Sequence, residues 1–367
     1  AFIAAGIGKG DRIAVWAPIL HLWILAACGA HSIGAVLVPL NTRLKGAVAA
    51  YILQASGARM LFTVADFLGV NYPAQLADQD LPGLEQIVCL DGEAPATQPW
   101  REFLAAGEAV AASEVDAQAQ RVGADDTLDI LFTSGTTGKP KGVVTSHAQN
   151  IRTFANWSGT VGLCEDDNYL IINPFFHSFG LNAGILACLM KGACILPHAV
   201  FDVQQVMERV PVDRVSMLPG PPAIYQTILN HPDLDSFDMS TLRLAVTGAA
   251  AIPVEMIVQM RDRLGFEKVV TGYGLTEGSG LATMCRHDDD PETIAKTSGR
   301  AMPGIEVLVV DDEMHEVPRG EPGEIVLRGY NVMKGSLDDP EQTAATIDSD
   351  GWLHTGDIGT MDEAGYI

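Results

Sequence analysis

Basic residues are scarce in this chain: 23 Lys and Arg stand against 46 Asp and Glu in 367 residues, a formal net charge of −23. No Lys/Arg-rich run occurs anywhere, which argues against a nucleic-acid-binding face. The charge balance itself mostly reports solubility. The six cysteines, Cys28, Cys89, Cys164, Cys188, Cys194 and Cys285, include no C-x-x-C pair. Neither a zinc site nor a disulfide framework is indicated, and a reducing cytoplasm is the expected compartment. Long apolar runs are missing too. The longest, residues 13–40, is interrupted by Pro18, His21, His31 and Ser32, so it reads as strand, helix, strand and not as a transmembrane span. No signal peptide is visible. Several catalytic signatures are absent as well. His315-Glu316 is followed by Val-Pro-Arg, so the second histidine of H-E-x-x-H is missing, and no G-x-S-x-G elbow occurs. Residues 6–10, Gly-Ile-Gly-Lys-Gly, lack dinucleotide spacing and precede their strand.

What is present fits a well-packed enzyme: 47% apolar residues with 19% charged. The length favours two or more subdomains. Short apolar runs at residues 12–16, 35–38, 59–63, 86–90, 128–132, 169–172, 193–196, 214–218, 242–247 and 268–271 predict buried strands. Helix-length segments at 22–32, 181–191, 221–229 and 253–264 lie between them. That alternation predicts parallel sheets with crossovers, hence an α/β fold of two packed sheets with helices over residues 1–297. After Ser298 the runs 305–310 and 323–328 are β-rich and turn-separated, which predicts a small β-barrel-like subdomain over 298–367. Residues 91–126, rich in Ala, Glu and Gln, are expected as surface loop and short helix. Residues 19–25, Ile-Leu-His-Leu-Trp-Ile-Leu, are expected as a core helix, with a homodimer contact as the second use.

The densest chemistry is Thr-Ser-Gly-Thr-Thr-Gly-Lys-Pro-Lys-Gly at residues 133–142, directly after an apolar strand. Gly135, Gly138 and Gly142 permit tight turns and bare N–H groups, Thr133, Ser134, Thr136 and Thr137 add hydroxyl donors, and Lys139 and Lys141 add charge. That suits a nucleotide polyphosphate. It is not a Walker A loop: only two residues separate Gly135 from Gly138, and Pro140 follows Lys139.

Four more segments follow, each with a plain structural reading of its own. Residues 174–180, Pro-Phe-Phe-His-Ser-Phe-Gly, present His177, which taken alone is a packed histidine as readily as a functional one. Gly248, Ala249 and Ala250 are either a surface on which a flat ring lies or a strand-to-helix turn before Pro253. In Thr-Gly-Tyr-Gly-Leu-Thr-Glu, residues 271–277, Tyr273 stands between Gly272 and Gly274, with Thr276 and Glu277 adding a hydroxyl and an anion. The alternative there is a Gly-Tyr-Gly turn ahead of a helix-capping threonine. In His-Thr-Gly-Asp-Ile-Gly, residues 354–359, Asp357 suits a vicinal diol, although Gly-Asp is also an ordinary turn.

Taken in order, these five segments resemble the adenylate-forming (AMP-binding) superfamily of acyl-CoA synthetases, luciferases and peptide-synthetase adenylation domains. The resemblance implies the large N-terminal domain of an acyl-CoA synthetase and an ATP-dependent reaction. A carboxylate attacks the α-phosphorus to give an acyl-adenylate, and coenzyme A then displaces AMP. It implies that residues 133–139 and Lys141 hold the phosphates of ATP or AMP and that Gly248, Ala249 and Ala250 lie against adenine. Tyr273, between Gly272 and Gly274, stacks on the ring. Thr276 contacts the α-phosphate, Glu277 helps hold Mg²⁺, Asp357 accepts from the ribose hydroxyls, and His177 lies beside the substrate carboxylate.

The acyl pocket is expected to draw on Phe175, Phe176, Phe179, Gly274, Ser279 and Leu281, apolar or small residues that favour a hydrophobic carboxylic acid. Amino-acid-activating members of the superfamily place an Asp near the position that resembles Phe176-His177 to pair with the substrate ammonium; none stands there, so the resemblance disfavours amino acids. Residues 218–226, 245–250 and 283–286 further resemble actinobacterial CoA ligases that activate the bicyclic propanoate left by steroid ring degradation. Relatives carry a hinge and a small C-terminal domain with a catalytic lysine after the position of Ile367, so the chain is expected to be an N-terminal domain with an incomplete start. A catalytically inactive nucleotide-binding scaffold or sensor is the alternative, and the presence or absence of that lysine in the natural protein separates the two.

Overall fold

The computed structural model describes residues 1–134, 138–248 and 250–367. These residues form seventeen strands. The first nine are β1 Arg12–Trp16, β2 Val36–Pro39, β3 Met60–Val64, β4 Gln86–Asp91, β5 Gln98–Pro99, β6 Thr127–Thr133, β7 Lys141–Ser146, β8 Asn168–Ile171 and β9 Cys194–Pro197. The rest are β10 Leu244–Gly248, β11 Lys268–Tyr273, β12 Thr283–Met284, β13 Arg300–Ala301, β14 Ile305–Val310, β15 Gly323–Gly329, β16 Gly335–Ser336 and β17 Leu353–Gly359. Two compact units result. One comprises Ala1–Asn150, Phe175–His177 and Met333–Pro340, the other Ile151–Pro174, Ser178–Val332 and Glu341–Ile367.

The first unit is built on an eight-stranded sheet in the order β16-β7-β6-β2-β1-β3-β4-β5. Ile13, Ala14, Val15 and Trp16 of β1 are all fully buried, as expected of a parallel strand covered on both faces. The Trp16 indole donates to the Asn41 carbonyl at 3.0 Å, which satisfies its one polar atom. Helix His21–Ser32 buries Trp23, Ala26, Ala27 and Ala30, so the apolar segment 19–25 is a core helix, with Leu25 exposed. Helix Gly46–Ser56 stops at Gly57, whose φ of 63° gives the left-handed cap that glycine adopts at little cost.

β1 to β6 pair in parallel as expected, but β7 runs antiparallel to β6 and β16 antiparallel to β7. A wholly parallel sheet is therefore corrected to a mixed one. The sequence reading placed no strand at residues 141–146, because the glycines and lysines at its start masked the alternation of Val143, Val144 and Thr145. Residues 91–126 do form short surface elements, among them the helices Trp100–Ala106 and Ala112–Ala119.

In the second unit, β10-β11-β12-β13 form one sheet and β8-β9 a parallel pair. Met217 bridges the two sets by pairing with Tyr169 and Leu244. The strand expected over 214–218 is thus reduced to one residue. The prolines at 219, 221 and 222 remove ladder donors and force the chain away. The helix expected over 181–191 is present, with a π-helical stretch at Leu181–Leu186 ahead of Ala187–Lys191, a form that recurs at functional sites. Helix Val254–Leu264 has Glu255 in its first turn, Arg261 and Arg263 in its last, and Gly265 as a left-handed cap. Both charge placements complement the helix dipole. The β-rich end is an antiparallel sheet, β14-β15-β17, with Val310, Val326 and Trp352 as its core. Among the described residues it has three strands and no closing pair. No helix of the described residues is long and apolar enough to cross a membrane.

Candidate functional site

In the first unit, the Thr/Gly/Lys segment connects two neighbouring interior strands. β6 and β7 pair from Thr127↔Ser146 up to Thr133↔Lys141, so the loop is the tip of an antiparallel hairpin. Gly135, Thr136 and Thr137 lie outside the described residues. Thr133 is half-buried, and Ser134, Gly138 and Lys139 are exposed. Gly138 has a φ of +84° with open space where a side chain would stand, so it is glycine for conformation. Gly142 is glycine for another reason. A Cβ there would lie 2.9 Å from Ile130, 3.1 Å from Leu337 and 3.2 Å from Phe132, which corrects its expected role in the turn to one of packing. The Lys139 ammonium sits 5.8 Å from the Tyr51 ring centre, and the Tyr51 hydroxyl donates to the Pro140 carbonyl at 3.4 Å.

Sequence reading missed Asp129, which is fully buried on β6 below this loop. Burial pushes its carboxyl up to about 7, against the lowering effect of a hydrogen bond from the Thr145 hydroxyl. Asn150 in turn donates to Thr145 at 2.8 Å. Asp129 sits within the apolar run 128–132, where a lone carboxylate carries no pattern of its own.

Phe175 and His177 belong to the same unit. Phe175 is 1% exposed with its ring 5.1 Å from Trp23, so it packs in the core. Phe176 is half-buried. His177 is exposed, while the protein around it lowers its pKa by desolvation, which favours the neutral imidazole at pH 7.

In the second unit, β10 and β11 lie parallel with Gly248 opposite Gly272. A Cβ on Gly248 would come within 3.0 Å of the Gly272 carbonyl, and one on Gly272 within 3.1 Å of the Thr283 carbonyl. Bare backbone is therefore required where these strands end. Ala250 is exposed, and Ala249 lies outside the described residues. After β11 the chain folds back on itself: a Cβ on Gly274 would stand 2.4 Å from the Gly280 carbonyl. Thr276, Glu277 and Gly278 make one 3-10 turn, with Thr276 and Glu277 half-buried. Ser279 and Leu281 are buried at 3% and 5% exposure, and the Ser279 hydroxyl donates to the Asn331 carbonyl at 2.7 Å. These two residues, expected in the acyl pocket, are both buried among their neighbours. Phe179 is half-buried.

The structure brings together two predicted residues 84 positions apart: the Tyr273 hydroxyl donates to Asp357 Oδ2 at 2.6 Å. Burial first, and this hydrogen bond second, raise the phenol well above its ordinary pKa, with the Glu277 charge a smaller contributor. The phenol is thus a fixed donor. Asp357 is held from the other side, because its N–H donates to the Thr355 hydroxyl at 3.1 Å and that hydroxyl donates to the Ile325 carbonyl at 2.6 Å. Glu324 accepts from Gly356 N–H and pairs with His354, both at 2.9 Å. Thr355, Glu324 and His354 are supports that the reading of Asp357 alone did not include. Glu277 makes no ion pair among the described residues, and a half-buried carboxylate left unneutralised fits a hard cation such as Mg²⁺.

Residues 1–337 match the AMP-binding enzyme family. The chain is 46% identical, over its whole length and 70% of the relative's, to 3-[(3aS,4S,7aS)-7a-methyl-1,5-dioxo-octahydro-1H-inden-4-yl]propanoyl:CoA ligase of Rhodococcus jostii (strain RHA1). It is 47% identical, with the same coverage, to the ligase of that name from Mycobacterium tuberculosis. Among solved structures, the N-terminal domain of FACL13 from Mycobacterium tuberculosis matches all of the chain and 87% of its own, with a TM-score of 0.85 at 30% identity. The anthranilate CoA ligase AuaEII in complex with anthranoyl-AMP matches all of the chain and 68% of its own, with a TM-score of 0.86 at 25% identity. The five ordered segments, the phenol-carboxylate pair and these matches agree: the chain belongs to the AMP-binding enzyme family.

Proposed function

We propose that this protein is an acyl-CoA ligase that uses ATP to activate a hydrophobic carboxylic acid, and that the acid is a bicyclic dione propanoate like that in the names of its Rhodococcus and Mycobacterium relatives. The substrate carboxylate oxygen attacks the α-phosphorus of ATP and pyrophosphate leaves; the thiol sulfur of coenzyme A then attacks the acyl carbon and AMP leaves. The observation that carries the nucleotide part is the Tyr273–Asp357 hydrogen bond. One side chain presents an aromatic face and fixes the carboxylate that suits a ribose diol.

Two anions must approach each other in the first step, so electrostatic shielding and positioning are what the protein supplies. Ser134, Lys139 and Lys141 with their loop hold the β- and γ-phosphates. Thr276 donates to the α-phosphate, and His177, neutral at pH 7, donates to the substrate carboxylate. Glu277 would hold Mg²⁺, whose charge screens the phosphates when it is bound. Phe176 and Phe179 are each half-buried, and apolar side chains of that kind suit a hydrophobic acyl group.

The test is acid-dependent pyrophosphate release with ATP and Mg²⁺ across fatty, aryl and bicyclic dione propanoic acids, with thioester formation followed by mass spectrometry once coenzyme A is added. The propanoate is expected to give the highest rate. Absence of release with every acid would overturn the ligase reading, and preference for a linear fatty acid would overturn the substrate.

A further inference from the structure

We infer that Asn331 is a positioning residue for the Thr276–Glu277 turn, an inference that rests on the ligase reading above. Neither Thr276 nor Glu277 makes a side-chain hydrogen bond to another described residue, so their placement comes from the backbone that carries them. That backbone is a tight loop. Gly278 N–H and Gly280 N–H both donate to the Leu275 carbonyl at 2.9 Å, Ser279 N–H to Thr276 at 3.0 Å, and Ala282 N–H to Tyr273 at 2.8 Å. Two successive residues, Ser279 with φ +54° and Gly280 with φ +85°, hold left-handed conformations, which for a non-glycine persist only where surrounding contacts over-determine them.

Asn331 supplies those contacts. It is fully buried, and its Nδ2 donates to the carbonyls of Gly278 at 3.2 Å and Leu281 at 2.9 Å. Its own backbone carbonyl accepts the Ser279 hydroxyl at 2.7 Å. Three hydrogen bonds from one residue thus span the C-terminal side of the turn. The amide has one workable orientation, since its Oδ1 is buried without a partner and turning it over would set an acceptor against two carbonyls. The preceding residue fixes Asn331 in its turn. The Tyr330 hydroxyl accepts from Asn156 at 2.7 Å, and the Arg152 guanidinium lies 3.9 Å over the Tyr330 ring. Both partners project from helix His147–Val161. The turn is thereby tied to a helix that ends 115 positions before Thr276, by contacts that local sequence does not reveal.

The test compares Asn331→Asp, which keeps the size but removes both donors, Asn331→Ala and Ser279→Ala with a matched control, Asn168→Ala. Asn168 also donates to two carbonyls in this unit, those of Asp213 and Arg214, away from the turn. ATP affinity is measured by calorimetry at a temperature where all variants are folded, together with deuterium uptake of residues 275–281 without nucleotide. Removing the Asn331 donors strips the buried Leu281 carbonyl of its partner and leaves the Gly278 carbonyl with the Leu281 N–H alone, at 3.3 Å, which should weaken ATP binding by about tenfold in both Asn331 variants, with faster uptake confined to 275–281, and Asn168→Ala should bind as wild type. Asn331 variants within about twofold of wild type, or a loss matched by Asn168→Ala, would overturn the inference. Should the Asn331 variants fail to fold, Ser279→Ala decides: about threefold weaker binding is expected from losing one such bond, and unchanged binding overturns. If wild-type protein binds no ATP, the ligase reading fails, and uptake at 275–281 alone decides the clamp.

Discussion

Replacing Tyr273 with Phe removes a single O–H from the site and leaves the aromatic ring in place. That hydroxyl lies 2.6 Å from Asp357 Oδ2. A hydrogen bond to a charged acceptor contributes roughly 1.5–3 kcal/mol when shielded. Asp357 is exposed, so water competes for it and about 1 kcal/mol is the reasonable figure, or roughly fivefold in affinity. Calorimetric AMP binding should therefore weaken about fivefold in Tyr273→Phe. Asp357→Ala should weaken it more, because the diol then loses its acceptor. The two changes must not add. Once Asp357 is gone the phenol has nothing to orient, so Tyr273→Phe in that background should cost almost nothing, a coupling of about 1 kcal/mol. The pH response follows from the same geometry. Burial and the bond to Asp357 hold the phenol proton above the ordinary tyrosine range, so affinity should stay flat through pH 10. Full additivity of the two substitutions, or a fall in affinity centred near pH 10, would refute the pairing as an organiser of the nucleotide site.

Asp129 has a folded-state pKa raised from 3.8 to about 7 by burial, so the folded state binds the extra proton between those values and stability falls as pH rises from about 4 through 7. Asp129→Asn should accordingly raise the melting temperature at pH 8, by a margin that closes towards pH 5; a margin independent of pH in calorimetric scans would contradict the assignment. Gly142→Ala forces a methyl into contact with Ile130, Leu337 and Phe132 and should destabilise by about 1–3 kcal/mol. Gly138→Ala meets only left-handed backbone strain and should cost about 1 kcal/mol, and thermal melts showing the reverse order would sink the distinction. Glu277→Gln should raise the Mg²⁺ concentration needed for half-maximal pyrophosphate release without moving the melting temperature, whereas an unchanged Mg²⁺ requirement would remove Glu277 from the metal site.

Much of this fold is written in local pattern. Parallel strands such as β1 and β3 are apolar on both faces and bounded by helices, so a short window suffices to find them. The ordered segments around Tyr273 and Asp357 were legible because their residue types name a chemistry, and the hydrogen bond joining them is what a window cannot show. What escaped depends on partners far along the chain. β7 is a strand because β6 and β16 flank it, and its own residues read as the tail of a phosphate loop. Gly142 looks like a turn glycine until Leu337 is seen against it. Ser279 and Leu281 look like small and apolar pocket residues, yet the close return of the chain past Gly274 buries them. Asn331 gave no signal at all, since one asparagine in a β-rich stretch has no spacing to read.

The two-residue strand Gly335–Ser336 lies beside β7 but is synthesised nearly two hundred positions after it. Until the ribosome has delivered those residues, β7 presents a bare row of amide and carbonyl groups on the outer side of the hairpin that bears the Thr/Gly/Lys loop. Nascent chains interrupted before that point would carry an adhesive margin open to pairing with neighbours. Pairing of Gly335 and Ser336 with Val144 and Val143 is thus the step that closes this seam.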